Sequence, residues 1–207
     1  MAVLVAMNGK LRNTTEIGGQ QWSKVVGIGH SYGSILTQAV TASYPDFYDA
    51  VILQGFSANS TNMPNYFQGT GYSIASDTLP DHLSDKPPVW LATATPATNQ
   101  LGFWAYPHYD QAAFDLARST EQPVTLGSLV TTGSASKTAT EYSNPVQIVT
   151  GDKDFIFAGA DAYAGPNGLT IPQAVQPALY PNVESFETYI PANTGTRAFL
   201  YILTYWC

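Results

Sequence analysis

Lys24-Val25-Val26-Gly27-Ile28-Gly29-His30-Ser31-Tyr32-Gly33-Ser34-Ile35-Leu36 is the stretch from which the rest of the chain is read. The β-branched residues Val25, Val26 and Ile28 run directly into Gly29-His30-Ser31-Tyr32-Gly33, and a helical pattern starts at once. Glycine two residues to either side of a serine is the G-x-S-x-G spacing of a nucleophile elbow, a sharp strand-to-helix turn. Such a turn strains the serine backbone and brings neighbouring backbone close, so side chains at Gly29 and Gly33 are expected to clash. It also lifts the Ser31 hydroxyl clear of the sheet, above a helix N-terminus whose free N–H groups favour negative charge.

The motif alone arises by chance, and its context decides. Ile35, Leu36, Ala39 and Val40 recur at helical spacing, and Pro45 disfavours helical geometry at Tyr44. A second apolar run, Ala50-Val51-Ile52-Leu53, follows Asp46–Asp49. The unit is strand, turn, helix, strand. A glycine-rich turn in some other α/β protein is the blander alternative.

The segment Trp22–Ser57 resembles the fifth strand, elbow, helix and sixth strand of the α/β-hydrolase fold. The wording of Lys24–Ser34 is similar to a group of fungal hydrolases in that superfamily. The likeness runs from about residue 11 to Gly195 and fails at both ends. It implies an α/β protein with a partial α/β-hydrolase fold: a mostly parallel sheet of strands resembling the fifth to eighth, with a helical cap insertion. Residues 1–56 and 145–195 would form the partial core, 57–144 a cap-like insertion and 196–207 an atypical apolar tail.

The composition agrees with one globular core. Of 207 residues, 44% are hydrophobic and 11% charged, which argues against disorder. A formal net charge of −7 with eight Lys and Arg provides no basic stripe for nucleic acid. The one cysteine, Cys207, leaves no internal disulfide framework. Met1–Met7 lacks a signal-peptide pattern, and no apolar window is long enough to span a bilayer. The sequons at Asn13 and Asn59 only faintly favour a secreted parent, so localisation is not legible.

Residues 1–21 read as a helix with Val3, Leu4, Met7 and Leu11 on one face, fading near Asn13 before a Gly18-Gly19 turn. The resemblance places this helix just before the fifth strand. Roughly the first four strands, and an oxyanion loop after the third, are then expected to be missing. Val25–Ile28 would present an unpaired apolar edge, and poor solubility is expected.

Residues 57–144 are too long for a structureless loop and must hold elements of their own. Asp110–Glu121, with Phe114 and Ala117 on one face, reads as a helix, and Pro123–Gly133 as another. Tyr66, Phe67, Tyr72, Trp90, Phe103, Trp104, Tyr106 and Tyr109 either line an apolar pocket or form this region's own core.

Pro145–Thr150 reads as a strand ending in Gly151-Asp152-Lys153-Asp154. This resembles the seventh strand and the turn that carries the triad acid. Asp154 falls on the acid position, and Asp152 reads as a solvated turn carboxylate; capping of the turn is the alternative role for Asp154. Ile171–Leu179 is a possible helix, and Glu184–Ile190 alternates as a strand. Asn193-Thr194-Gly195 precedes the place where the resembled hydrolases carry the base histidine, and here that place holds Thr196, then Arg197.

A serine nucleophile needs a base. Of three histidines, His30 should point away from the Ser31 hydroxyl, and His82 and His108 precede the acid in sequence. The tail Ala198–Cys207 is nearly all apolar, which suggests a chain leaving the family pattern at Thr196, as in a gene-model fragment. The expected assignment is therefore Ser31 as nucleophile, Asp154 as acid and the Tyr32 N–H as oxyanion donor, acting on a small apolar ester through an acyl-enzyme. No metal or other cofactor is implied. As written the chain is expected to be inactive, and a non-catalytic binding or scaffold relative is the alternative.

Overall fold

The computed structural model describes residues 2–197, so the apolar tail from Ala198 onward lies outside the described residues. Helix α1 (Ala2–Asn13) precedes β1 (Val26–His30), α2 (Tyr32–Ser43) and β2 (Ala50–Gln54). Strands β1 and β2 pair in parallel, Gly27 opposite Val51 and Gly29 opposite Leu53, with α2 as the crossover. Alternation of side chains along β1 turns Gly27 and Gly29 inward and Val26 and Ile28 outward. Both glycines are required by close approach. A Cβ on Gly27 would stand 2.9 Å from the Tyr48 ring, and one on Gly29 would stand 2.5 Å from Ser34 Cα.

Between β2 and the next long strand lie α3 (Met63–Thr70), β3 (Ser73–Ile74), α4 (Ala75–Thr78), α5 (Pro80–Leu83), β4 (Trp90–Ala92), α6 (Pro96–Phe103), α7 (Gln111–Ser119), β5 (Val124–Thr125) and α8 (Leu126–Thr131). The chain then returns through β6 (Val146–Val149), α9 (Phe155–Ala158), α10 (Val175–Leu179) and β7 (Phe186–Tyr189). The main sheet is all parallel in the order β1-β2-β6-β7. Its inner strands carry the core: Val51, Leu53, Val146 and Ile148 are buried against Val40 of α2, Phe56, Phe157 and Val175. Tyr142 and Tyr180 are fully buried and meet edge to face at 5.9 Å, and the Tyr180 hydroxyl bonds Thr41 Oγ1 at 3.0 Å. β1 is an outer strand, and Val26 and Ile28 are 50% and 60% exposed.

The intervening segment holds more than the two helices read from sequence. A separate antiparallel sheet, β3-β4-β5, is fastened by a buried polar cluster. The Glu121 carboxylate accepts from the Thr93 N–H at 2.8 Å and from Asn99 Nδ2 at 2.8 Å, and pairs with Arg118. Arg118 also donates to the Thr93 carbonyl at 3.0 Å. A buried ion pair is tolerable when its remaining donors and lone pairs are engaged in this way.

Helix α1 keeps only part of the expected apolar face: Leu4 packs against the core. Val3 and Met7 are exposed, and the one fully buried side chain of α1 is Asn8. The helix is held by polar contacts: Asn8 Nδ2 donates to the Phe47 carbonyl, and Arg12 reaches Asp49 Oδ2 at 2.6 Å. Asp49 also accepts the Val25 N–H at 2.8 Å and faces Lys24 Nζ at 3.0 Å. One carboxylate therefore ties α1, the start of β1 and the turn before β2. Partial burial pushes its pKa up, but the Val25 N–H, Arg12 and Lys24 together prevail and hold it at about 2.

A depressed pKa contributes stability above the ordinary carboxylate value, and the contribution disappears as pH falls through the folded-state value. Asp49→Asn should lower the urea midpoint at neutral pH. The difference from the parent chain should shrink from roughly pH 4 and vanish near about 2. Equal midpoints at neutral pH would show that Asp49 is not the tie.

Candidate active site

Ser31 sits between β1 and α2 with φ 52° and ψ −119°, a left-handed φ that a non-glycine residue adopts only under constraint. The constraint comes from the end of β2. The Gln54 carbonyl accepts the Ser31 N–H at 2.8 Å and the Ser34 hydroxyl at 2.7 Å. The Ser31 carbonyl in turn accepts from the N–H groups of Ser34 and Ile35 at 2.9 and 3.3 Å, which starts α2. The expected clash holds at Gly29 but not at Gly33, where a Cβ would meet nothing within 4 Å among the described residues. Only the glycine on the strand side is sterically required. Tyr32 is the first residue of α2, and its N–H has no partner inside the helix.

Half-buried Ser31 lines a cavity of about 220 Å³ together with Ile35, Met63, Phe67, Tyr66, Tyr72 and Phe103. Several of the sequence's aromatics thus wall a cavity, while Trp104, Tyr109 and Phe114 cluster with one another instead.

Asp154 follows β6 and is fully buried. Its Oδ1 accepts the Phe157 N–H at 2.9 Å, capping α9, and the Thr196 hydroxyl at 2.8 Å. Its Oδ2 is buried without a partner among the described residues. Burial raises its pKa to about 6, against the Phe157 and Thr196 hydrogen bonds that lower it. The cap role read as the alternative is therefore real, and the same carboxylate binds the residue at the expected base position. No gap is left beside it: Thr196 is itself fully buried, and its Cγ2 would stand 2.9 Å from a Cβ on Gly55, whose φ is +52°.

The Thr196 carbonyl accepts from His30 Nε2 at 2.9 Å, which assigns the proton to that nitrogen. His30 retains exposed surface, yet packing around the ring lowers its pKa, opposed by the Thr196 bond and assisted by the Arg197 charge. His82 Nε2 bonds the Glu121 carbonyl at 2.9 Å, and His108 is exposed. None of these contacts reaches Ser31. Arg197 stacks over Phe103 and Trp104, at 5.5 and 5.2 Å from the ring centres. Asp152 is not the solvated carboxylate expected. It is 9% exposed, and its Oδ1 accepts the Thr194 N–H at 2.9 Å, pinning the loop that delivers Thr196.

Sequence reasoning missed two groups at the site. Gln54 left a signal, a polar residue closing an apolar strand run. The Tyr66–Tyr72 pair, with hydroxyls 2.6 Å apart, left none beyond its membership in an aromatic-rich segment.

No protein-family model matches the chain, and no curated protein matches it. Solved structures do match, and the fold is that of the α/β hydrolases. The chain is similar to BpoC of Mycobacterium tuberculosis H37Rv, which bears the name of a non-heme bromoperoxidase, with TM-score 0.56 and 14% identity. That match covers 87% of this chain and 63% of BpoC, so the chain spans less than two thirds of that protein's length. It is also similar to a lipase in its open form, with TM-score 0.54 and 14% identity over 98% of this chain and 68% of the lipase. The monoacylglycerol lipase of Paleococcus ferrophilus aligns with TM-score 0.52 and 13% identity, over 99% of this chain and 73% of its own. At such identities the likeness is one of fold.

A carboxyl whose pKa is raised on folding favours the native state at low pH, and that advantage is lost as pH rises through the folded value. The chain should therefore lose stability between roughly pH 4 and about 6, and Asp154→Asn should remove that slope in urea midpoints. Thr196→Val, which deletes the hydroxyl that steadies the charged form, should move the upper limit of the slope to higher pH. A pH-independent parent chain would contradict this placement of Asp154.

Proposed function

We propose that Ser31 is the nucleophile of a serine-hydrolase site for small apolar esters, and that this chain carries the site without its general base. The reading assigns the Tyr32 N–H as an oxyanion donor and Asp154 as the acid that would orient a base. The segment 57–144 acts as a cap whose aromatics meet the acyl group. In acylation the Ser31 oxygen bonds to the ester carbonyl carbon, the Ser31 proton passes to a base, and the alcohol leaves with a proton as the ester C–O bond breaks. Water then releases the acid from the acyl-serine. Fold alone does not select this chemistry.

One observation carries the reading. Ser31 is held in a strained turn facing an apolar cavity, while the place beside Asp154 is taken by Thr196. A threonine hydroxyl does not accept a proton at neutral pH, and loss of the base from a serine triad costs about 10⁶ in kcat. The same observation favours a second reading, a non-catalytic relative that binds apolar ligands with the elbow intact.

Hydrolysis of p-nitrophenyl butyrate should not exceed background, and Thr196→His alone should not rescue it. A fluorophosphonate applied in alkaline buffer, where hydroxide replaces the base, should label the chain slowly. The adduct should map to Ser31 by mass spectrometry and be lost in Ser31→Ala. Absence of the Ser31 adduct from a folded chain at every pH would hand the lead to the non-catalytic reading.

A further inference from the structure

The Ser31 cavity shares much of its wall with another. A second cavity of about 470 Å³ lies against it, and the two share Ile35, Met63, Phe67, Leu129, Thr132 and Phe157 as walls. The second extends between the Ser57–Ser60 turn and Gly133–Ser136, away from Ser31. The shared walls are mostly apolar, and they border two adjoining chambers, one with Ser31 and one without.

Polar groups in the first chamber are few, and most are engaged. Thr132 Oγ1 donates to the Ser128 carbonyl at 2.6 Å, and half-buried Ser128 pairs with Thr125 at 2.9 Å. The Tyr66 and Tyr72 hydroxyls bond each other at 2.6 Å. Such a pair holds two hydrogens, of which the mutual bond uses one. The other has no acceptor among the described residues, and it sits on Tyr66, which is 6% exposed, or on half-buried Tyr72. Burial also raises the pKa of both phenols, so they remain donors. A buried donor without a partner is costly, and an acceptor on a ligand in the chamber would relieve it.

We propose that the two chambers take a linear aliphatic acyl ligand, its ester group in the chamber that Ser31, Tyr66 and Tyr72 line and its chain in the second chamber. This rests on the reading of Ser31 as the reacting group only for what happens to the ligand, not for its binding. A compact acyl group would leave the second chamber empty, and each further buried methylene adds affinity.

The test is binding of methyl octanoate and methyl butanoate to the full chain by calorimetry, since neither is turned over. Octanoate should bind about a hundredfold tighter, as four more buried methylenes require. Leu129→Trp, which fills the shared wall, should bring octanoate down to the butanoate level. The paired change Tyr66→Phe with Tyr72→Phe should weaken both esters about equally, by about tenfold. Equal affinities for the two esters, or undiminished octanoate binding in folded Leu129→Trp, would overturn the proposal. If Leu129→Trp does not fold, Gly133→Phe serves, because Gly133 lines the second chamber and a Cβ there would meet nothing within 4 Å. Chain-length-dependent binding without a fluorophosphonate adduct would sink the serine reading alone, and an adduct without chain-length dependence would sink this one alone.

Discussion

The Gln54 carbonyl, at the end of β2, is the point on which the arrangement at Ser31 turns. By accepting both the Ser31 N–H and the Ser34 hydroxyl it fastens the tip of the β1–α2 turn to the neighbouring strand. A left-handed φ at a serine costs roughly 1–3 kcal/mol and persists only where surrounding contacts over-determine it. Two hydrogen bonds to one carbonyl, together with the close approach at Gly29, supply that constraint. Register follows from the same place, because Gln54 lies opposite His30 in one pairing and Val149 in the other. Fixing Gln54 thus sets the height of Ser31 and of the Asp154 turn together.

The surroundings of Asp154 are held as firmly and to a different end. Asp152 pins the Thr194 loop, Gly55 leaves room for Thr196, and the Thr196 hydroxyl closes on Asp154. The carboxylate caps α9 in the same stroke, so it has a structural reason to stay whether or not it serves a reaction. His30, the histidine nearest Ser31 in sequence, is turned to the Thr196 carbonyl. What remains is a strained serine with no base assigned to it.

Much of this was legible before any coordinates. The strand–turn–helix–strand unit and the strand at 145–150 carry strong local patterns, as short apolar runs bounded by turns, and the strand near 184–190 shows through its alternation. The reading of Asp154 as acid and of Thr196 at the base position came from the family resemblance, and the hydrogen bond between the two is what the structure adds. The face of α1 was not legible, since it is chosen by Asn8 and Arg12 reaching Phe47 and Asp49, contacts that leave no period in the sequence. The strands β3, β4 and β5 have only two or three residues each, too few for alternation to register. Nor could spacing reveal that Gly33 faces open space, or that Tyr66 and Tyr72 join hydroxyls, because both depend on packing between distant elements.

The central proposal is that no group among the described residues takes the Ser31 proton. The pH dependence of the rate at which a fluorophosphonate modifies Ser31 reads that directly. With solvent hydroxide as the only base, the logarithm of the rate should climb with unit slope between about pH 6 and about pH 9, without a plateau. An inflection near neutrality, with the rate level above it, would reveal a titrating base at the serine and contradict the account.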